Sequence, residues 1–429
     1  MPPVNVVRMR VDFIYSNDKK PISDPHAFWS RYSKVSARFI DGYAAHSGVM
    51  NKALATIVEP GDSDETKLRK IYARVQQIHN DSYDPPTSST LQPGSSIERT
   101  DDVADIWNHQ HALSWQITWL FLGLARAAGF EADPVMLATR DRSFLNKGVL
   151  QEGQLNGNAV VVKLGTKEIF ADPGAAFTPF GALAWYETSV EGLRLSKDGG
   201  EWINTALPSA SASRITRRAA LQLSDDGSLR GTVTVHYSGI EAQWVRLQER
   251  AEDAVARTKY LEGQLKSAIP VASDVKLTNA PEWSRDDEDL VAKYTLRIDG
   301  WAQGAGRRTL FTAGLFSAQE RGVFTHDSRV QPLYFRFPYE HTDEVDIALP
   351  VGLKIGSLPE PKIAEFKNAN YSFIAEPSNG GLHLRRDLSS EMLLLQANSY
   401  APIRDFYQSI RAGDAEQVVL VPTSATGAD

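Results

Sequence analysis

Residues Ile106–Phe130 read IWNHQHALSWQITWLFLGLARAAGF, and the reading of this stretch decides the fold. From Trp115 onward nearly every residue is Trp, Ile, Leu, Phe or Ala, interrupted only by Gln116, Thr118, Gly123 and Arg126. A helix of that composition is apolar on almost all faces, which predicts burial inside a domain. Ser114 stands just ahead of the apolar run as an N-cap type residue, and Gly129 follows it as a C′ glycine. At about sixteen residues the run falls short of the roughly twenty that cross a bilayer. A buried helix aims its positive end at its first turn, so the head Asn108–Ser114 is the first place to seek a site.

Upstream, His26–Ile40 has the spacing of an amphipathic helix, and Val4–Tyr15 alternates as a strand would. Gly61–Asp64 supplies capping and acidic residues for a helix that carries Leu68, Ile71, Tyr72, Val75 and Ile78 on one side. Tyr83–Thr100 is rich in Pro, Ser, Thr and Gly and reads as an irregular loop leading into the buried helix. Downstream the period changes to two. Asp133–Thr139, Asn158–Leu164 and Lys167–Ala171 are short and β-prone, the last two joined by Gly165-Thr166 and followed by Asp172-Pro173-Gly174. A helix start, a strand start and a strand end therefore bring Ser114, Asn158 and Asp172 within possible reach of one another.

Composition bounds the partners. The chain of 429 residues carries a net charge of −7 and no dense basic patch, which argues against nucleic acid. With no cysteine, disulfides, thiolate metal sites and a cysteine nucleophile are excluded. The N-terminus lacks the basic and apolar regions of a signal peptide and enters abruptly on a strand, so the chain is expected to continue a removed upstream part. Cofactors and metals are not expected, because no histidine or carboxylate cluster at ligand spacing is visible.

The rest of the chain reads as mostly β. The Gly pair and Ser/Ala/Pro run in Leu195–Arg214 suggest a boundary. Beyond it come a hairpin around Ser224–Ser228, one long surface helix over residues 241–266 with Trp244, Leu247, Ala251, Val255, Leu261 and Leu265 inward, and an acidic turn at Arg285–Asp289. Further strands are expected at Leu290–Ile298, Leu333–Phe337, Glu344–Leu349, Tyr371–Glu376 and Gly381–Asp387, with a helix at Ile403–Arg411. The organisation expected is an N-terminal segment 1–45 ending an upstream domain, a core over 46–205 and a β-rich domain over 206–429.

The order of a helix ending Arg126-Ala-Ala-Gly-Phe130, a strand, and a hairpin closing in Asp172-Pro173 resembles the transglutaminase-like (papain-like) superfamily. It is most similar to bacterial proteins in which such a core sits beside β-rich domains of unknown function. Lys70–Gln76, Leu120–Phe130, Phe170–Gly174 and Pro179–Trp185 carry the resemblance. It implies an α+β fold: a papain/transglutaminase-like core of buried helix and antiparallel sheet, followed by a mainly-β, sandwich-like domain. The family's chemistry needs a Cys at the helix start, a His opening the next strand and an Asp at the strand after that. Helix dipole and imidazolium lower the thiol pKa, and the carboxylate orients the ring. Counting fifteen residues back from Gly129 places the Cys position on Ser114, and the His position falls on Asn158, fourteen before Asp172, or on Asn156 or Gly157 if the alignment slips. Only Asp172 keeps the family's residue type.

What the resemblance then implies is a core that kept its fold and lost its reaction: a non-catalytic binding or scaffolding protein, its ligand a peptide, a polyamine-like group or a cell-envelope polymer. His109, His111, Ser114, Trp115, Asn158 and Asp172 are the candidate ligand-binding residues. Export to the periplasm is expected from the resemblance alone, since no signal is visible here. An alternative is a hydrolase or acyltransferase using Ser114 with His109 or His111 and Asp172, and another is a purely structural envelope module. The plainer reading of each residue stands beside these: Ser114 as an N-cap, Asp172 as a turn residue, the two histidines as solvated groups and Trp115 and Trp119 as core.

Overall fold

Asp24 and Pro25 open the first helix, α1 (Pro25–Ala44), the Asp24 carboxylate accepting from Ala27 N and Pro25 occupying a first-turn position that its fixed φ suits. The computed structural model describes residues 22–45, 47–84, 101–285 and 288–423. The strand expected at Val4–Tyr15, most of the Tyr83–Thr100 loop and part of the acidic run at 285–289 lie outside them. The chain divides into two compact units, residues 2–207 and 208–429.

In the first unit Trp29, Ala37, Ile40 and Tyr43 of α1 join the same core as the buried helix, so the helix within the segment 1–45, read as the end of an upstream domain, packs as a wall of this domain. After α2 (Ser47–Leu54), Ser63 caps α3 (Asp64–Val75) by accepting from Thr66 N, and Leu68, Ile71, Tyr72 and Val75 are buried as their spacing predicts. The short strand β1 (His79–Asn80) pairs in parallel with β2 (His111–Ala112), and α4 (Val103–His109) lies between them in sequence. Gln110, at φ +59, turns the chain out of α4. The head of the apolar stretch is thus a separate helix and a bridge.

The central helix, α5 (Ser114–Ala127), has every residue from Gln116 to Ala125 buried. Each fully buried Leu or Phe on it contributes about 1.5–3 kcal/mol of transfer free energy. Gly129, at φ +89, ends it in the left-handed region that a glycine adopts without strain. A five-stranded antiparallel sheet follows: β3 (Ala132–Leu137), β4 (Gly157–Leu164), β5 (Lys167–Ala171), β6 (Glu191–Arg194) and β7 (Glu201–Asn204), in the order β5-β4-β3-β6-β7. The two-residue period sends Ala132, Val160, Val162 and Ala171 into the core built on α5. Val135, Leu137, Ala159 and Val161 are buried on the opposite face. Strand β7 corrects the reading of Gly199-Gly200, which at φ +127 and +77 forms the hairpin turn between β6 and β7 within this unit. A glycine pair serves a tight turn as readily as a linker.

The second unit opens with β8 (Ser213–Leu223) and β9 (Leu229–Gly239), joined by the expected turn, then α6 (Ile240–Gln248) and α7 (Ala254–Ala268). The single helix expected over 241–266 is therefore two. Asp253 caps α7 by accepting from Ala256 N, and Arg257 holds the preceding turn through Glu249 O and Arg250 O. The restart rotates the helical period, so Val255, expected inward, is exposed.

The remaining elements are β10 (Asp274–Leu277), β11 (Leu290–Ile298), β12 (Gln303–Ala305), β13 (Arg308–Thr312), α8 (Ala318–Arg321), β14 (Leu333–Tyr334), β15 (Tyr339–Ala348), β16 (Leu353–Ser357), β17 (Lys362–Phe366), β18 (Ala369–Ser378), β19 (Gly381–Ser390), β20 (Leu394–Leu395), α9 (Tyr400–Asp414) and β21 (Gln417–Pro422). Eight strands form one sheet, β10-β11-β9-β8-β15-β19-β18-β17, antiparallel except where β15 lies parallel to β8. In β11 the residues from Leu290 to Ile298 alternate inward and outward as read from the sequence. The inner face packs with Leu261 and Leu265 of α7, Ile403 and Ile410 of α9, and Phe311, Val418 and Leu420 of the four-stranded sheet β12-β13-β21-β16. The layer against the large sheet is thus a small sheet together with helices. The fold is α+β with a β-rich C-terminal unit. Among the described residues no helix is long and apolar enough to cross a membrane.

Candidate functional site

Ser114 is the first residue of α5, and Leu113, in extended conformation, holds the N-cap position. This corrects the N-cap role read for Ser114. One distant and one local side chain do the capping work: Ser82 Oγ accepts from Ser114 N (2.9 Å), and Gln116 Oε1, in the first turn of the helix, accepts from Leu113 N (2.9 Å). The Ser114 hydroxyl then donates to Asn80 Oδ1 at 3.2 Å. Asn80 in turn donates from Nδ2 to Gly174 O at 2.9 Å, so one amide ties the helix start to the Asp172-Pro173-Gly174 turn. That turn closes tightly on the helix. A Cβ at residue 174 would stand 2.1 Å from Ser114 O, an approach only glycine permits.

Asp172 leaves the end of β5 and is buried beneath this turn. Thr118, one helical turn after Ser114, places its hydroxyl 2.5 Å from Asp172 Oδ1 and 3.1 Å from Ser114 O. A hydroxyl has one hydrogen, and the shorter contact, to the carboxylate, takes it. Gly174 N donates to the same Oδ1 at 3.0 Å. The carboxyl group of Glu187, 1% exposed, is hydrogen-bonded to Asp172 and accepts from Ala184 N at 3.2 Å. Burial pushes Asp172 up to about 6. Burial, and then the negative neighbour, hold Glu187 well above the usual carboxylate range. Two buried acids in contact cannot both ionise cheaply, so the pair retains a proton, with Glu187 as donor. Tyr83 and Tyr186 flank the pair, and burial raises both phenols.

Asn158 stands second in β4, opposite Met136 of β3. It shares a strand face with Val160 and Val162, the residues that pack toward α5, so it lies on the helix side of the sheet, half-buried. Neither candidate histidine serves Ser114. His109 is exposed, with Nδ1 on Asp105 O at 2.9 Å, and His111 Nδ1 lies on Asp81 Oδ2 at 2.9 Å. Trp115 packs its ring on Tyr43 with centroids 5.5 Å apart.

His79, Asp81 and Asp84 have potential ligand atoms within 4.8 Å of one another, a grouping the sequence reading overlooked because the residues are not in a familiar spacing. Their polar atoms are already used among themselves: His79 Nε2 lies 2.9 Å from Asp84 Oδ2, which raises the imidazole pKa, and Asp81 also holds His111. Asn80, Ser82, Thr118 and Glu187 were missed as well. Only Thr118 had a signal in the sequence, its i+4 spacing from Ser114.

Residues 307–420 match the family model described as a domain of unknown function with a solved structure, DUF3858. No curated protein matches the chain. Among solved structures, a protein from Parabacteroides distasonis described as a "putative protease" is similar at a TM-score of 0.50 and 9% identity. The match covers 92% of this chain and 58% of the other, so the chain spans little more than half of that protein's length. At that identity the likeness is one of fold, shared with a protein whose description is that of a protease.

Proposed function

We propose that the first unit is a transglutaminase-like (papain-like) core that binds a ligand or serves as a scaffold without turning it over. The carrying observation is the state of the three positions where that superfamily keeps its reagents. Ser114 donates its hydroxyl to an amide oxygen, and Asp172 is engaged by Thr118, Gly174 N and a protonated Glu187. Asn158 stands where an imidazole is expected, and an amide cannot accept the proton of a nucleophile. A serine hydroxyl without a base is a poor nucleophile at neutral pH. The likeness of fold to a protein described as a protease supports the superfamily. The ligand class that fits this reading is a peptide or a cell-envelope polymer, and the location that goes with it is the periplasm.

Labelling with a serine-reactive fluorophosphonate tests the reading on wild type and Ser114→Ala. Equal background labelling of both is expected. Specific labelling of wild type that disappears in Ser114→Ala would overturn it in favour of a Ser114 hydrolase.

A further inference from the structure

The apolar face of the eight-stranded sheet is crossed by one charged rung. Arg217 of β8 stands opposite Asp343 of β15, which stands opposite Arg386 of β19. All three occupy inward positions of their strands, and each is at most 5% exposed. Two partners reach them from outside the sheet. Asp414, at the end of α9, takes Arg386 in a two-pronged pair at 2.8 and 3.1 Å and also accepts from Tyr371 Oη. Glu320 of α8 places Oε2 3.3 Å from Arg386 Nη2.

The rung is not closed by direct hydrogen bonds. Arg217 Nη1 donates to Asp343 Oδ1 at 2.9 Å, but the other oxygen, Asp343 Oδ2, stands 3.6 Å from Arg386 Nη1. Among the described residues both of these buried atoms are without a hydrogen-bond partner. Asp343 and Arg386 line a cavity of about 10 Å³ together with Gly314, Val345, Phe373 and Leu384. An unsatisfied buried charge-bearing atom is costly, and two side by side in one cavity call for an occupant.

We propose that this cavity is a binding site for a single internal water molecule. It accepts from Arg386 Nη1, donates to Asp343 Oδ2, and so links the Arg217–Asp343 pair to the Arg386–Asp414 pair. The chemistry of the lining selects this occupant. A cation would meet the guanidinium and an anion the carboxylate, whereas water is donor and acceptor at once. The size agrees, since about 10–15 Å³ of this kind of space is the least that holds one water. With the water in place, charged hydrogen bonds run from β8 through β15 and β19 to α9.

A crystal structure of the full chain, at a resolution that shows ordered solvent, tests the site. One peak within hydrogen-bond distance of both Asp343 Oδ2 and Arg386 Nη1 is expected. An empty cavity, or Nη1 closed directly onto Oδ2 as an ion pair, overturns the proposal. Water-17O relaxation dispersion gives an independent measurement in solution. In Val345→Ile, whose added methyl group enters the cavity, the number of long-lived waters per folded chain should fall by one, and an unchanged number counts against the site.

Discussion

Replacing Glu187 by Gln isolates the buried acid pair. In the wild type Asp172 titrates near 6 because burial penalises its charge, and Glu187 lies well above the ordinary range. An unfolded carboxyl gives up its proton near 4, so between about pH 4 and 6 the folded chain holds more protons than the unfolded one, and stability falls as pH rises. Burial holds Asp172 at about 6 against an unfolded value near 4, and at about 1.4 kcal/mol for each tenfold change in proton affinity this amounts to about 3 kcal/mol lost by neutral pH. In Glu187→Gln the amide can donate to Asp172 at every pH while its oxygen still accepts from Ala184 N. Burial, the cause of the raised Asp172 value, and a donor on Asp172 both persist, so Asp172 keeps its titration while that of Glu187 is removed. At about 2–4 °C per kcal/mol for a unit of this size, the Asp172 share, roughly 6–12 °C of the fall in Tm between acid and neutral pH, should remain in the variant, and the further fall that belongs to Glu187 should disappear. Differential scanning calorimetry of the full chain across that range is the assay. If the Tm of the variant falls with pH as steeply as that of wild type, the acid pair is not the titrating element and the reasoning fails.

Three further outcomes follow from the same geometry. Thr118→Val removes the hydroxyl from a buried carboxylate and should destabilise the chain by about 1–3 kcal/mol, read from denaturant midpoints, while Thr118→Ser should recover most of it. Asp414→Ala strips the paired carboxylate from buried Arg386 and should cost about 3–5 kcal/mol, checked by the same unfolding measurement. Ser114→Cys combined with Asn158→His reinstates the superfamily's thiol and imidazole at a helix start. Alkylation by iodoacetamide at neutral pH should be faster in the double variant than in Ser114→Cys alone, and equal rates would place residue 158 out of reach of residue 114.

The buried helix, the period-two strands after it and the hairpin at Gly165-Thr166 were legible because each is written in local spacing. The alternation in Leu290–Ile298 was legible for the same reason. The break at 249–253 was not, because both halves of 241–266 carry good helix formers and only the Asp253 cap marks the restart. The charged rung left a trace that went unread: Arg217, Asp343 and Arg386 fall on the inward phase of strands whose other inward positions are mostly apolar.

By itself the sequence determined which faces are apolar, where α5 ends, and that Ser114, Asn158 and Asp172 belong to one helix start and two neighbouring strands. Periodicity and turn chemistry depend on residues a few positions apart, and a chain read in order displays them. Only the tertiary structure decided that Ser114 gives its hydroxyl to Asn80, thirty-four residues away, and that Asp172 meets Thr118 and Glu187 in place of an imidazole. A buried polar group must take whatever partner packing brings within about 3 Å, and no local pattern records which one that is.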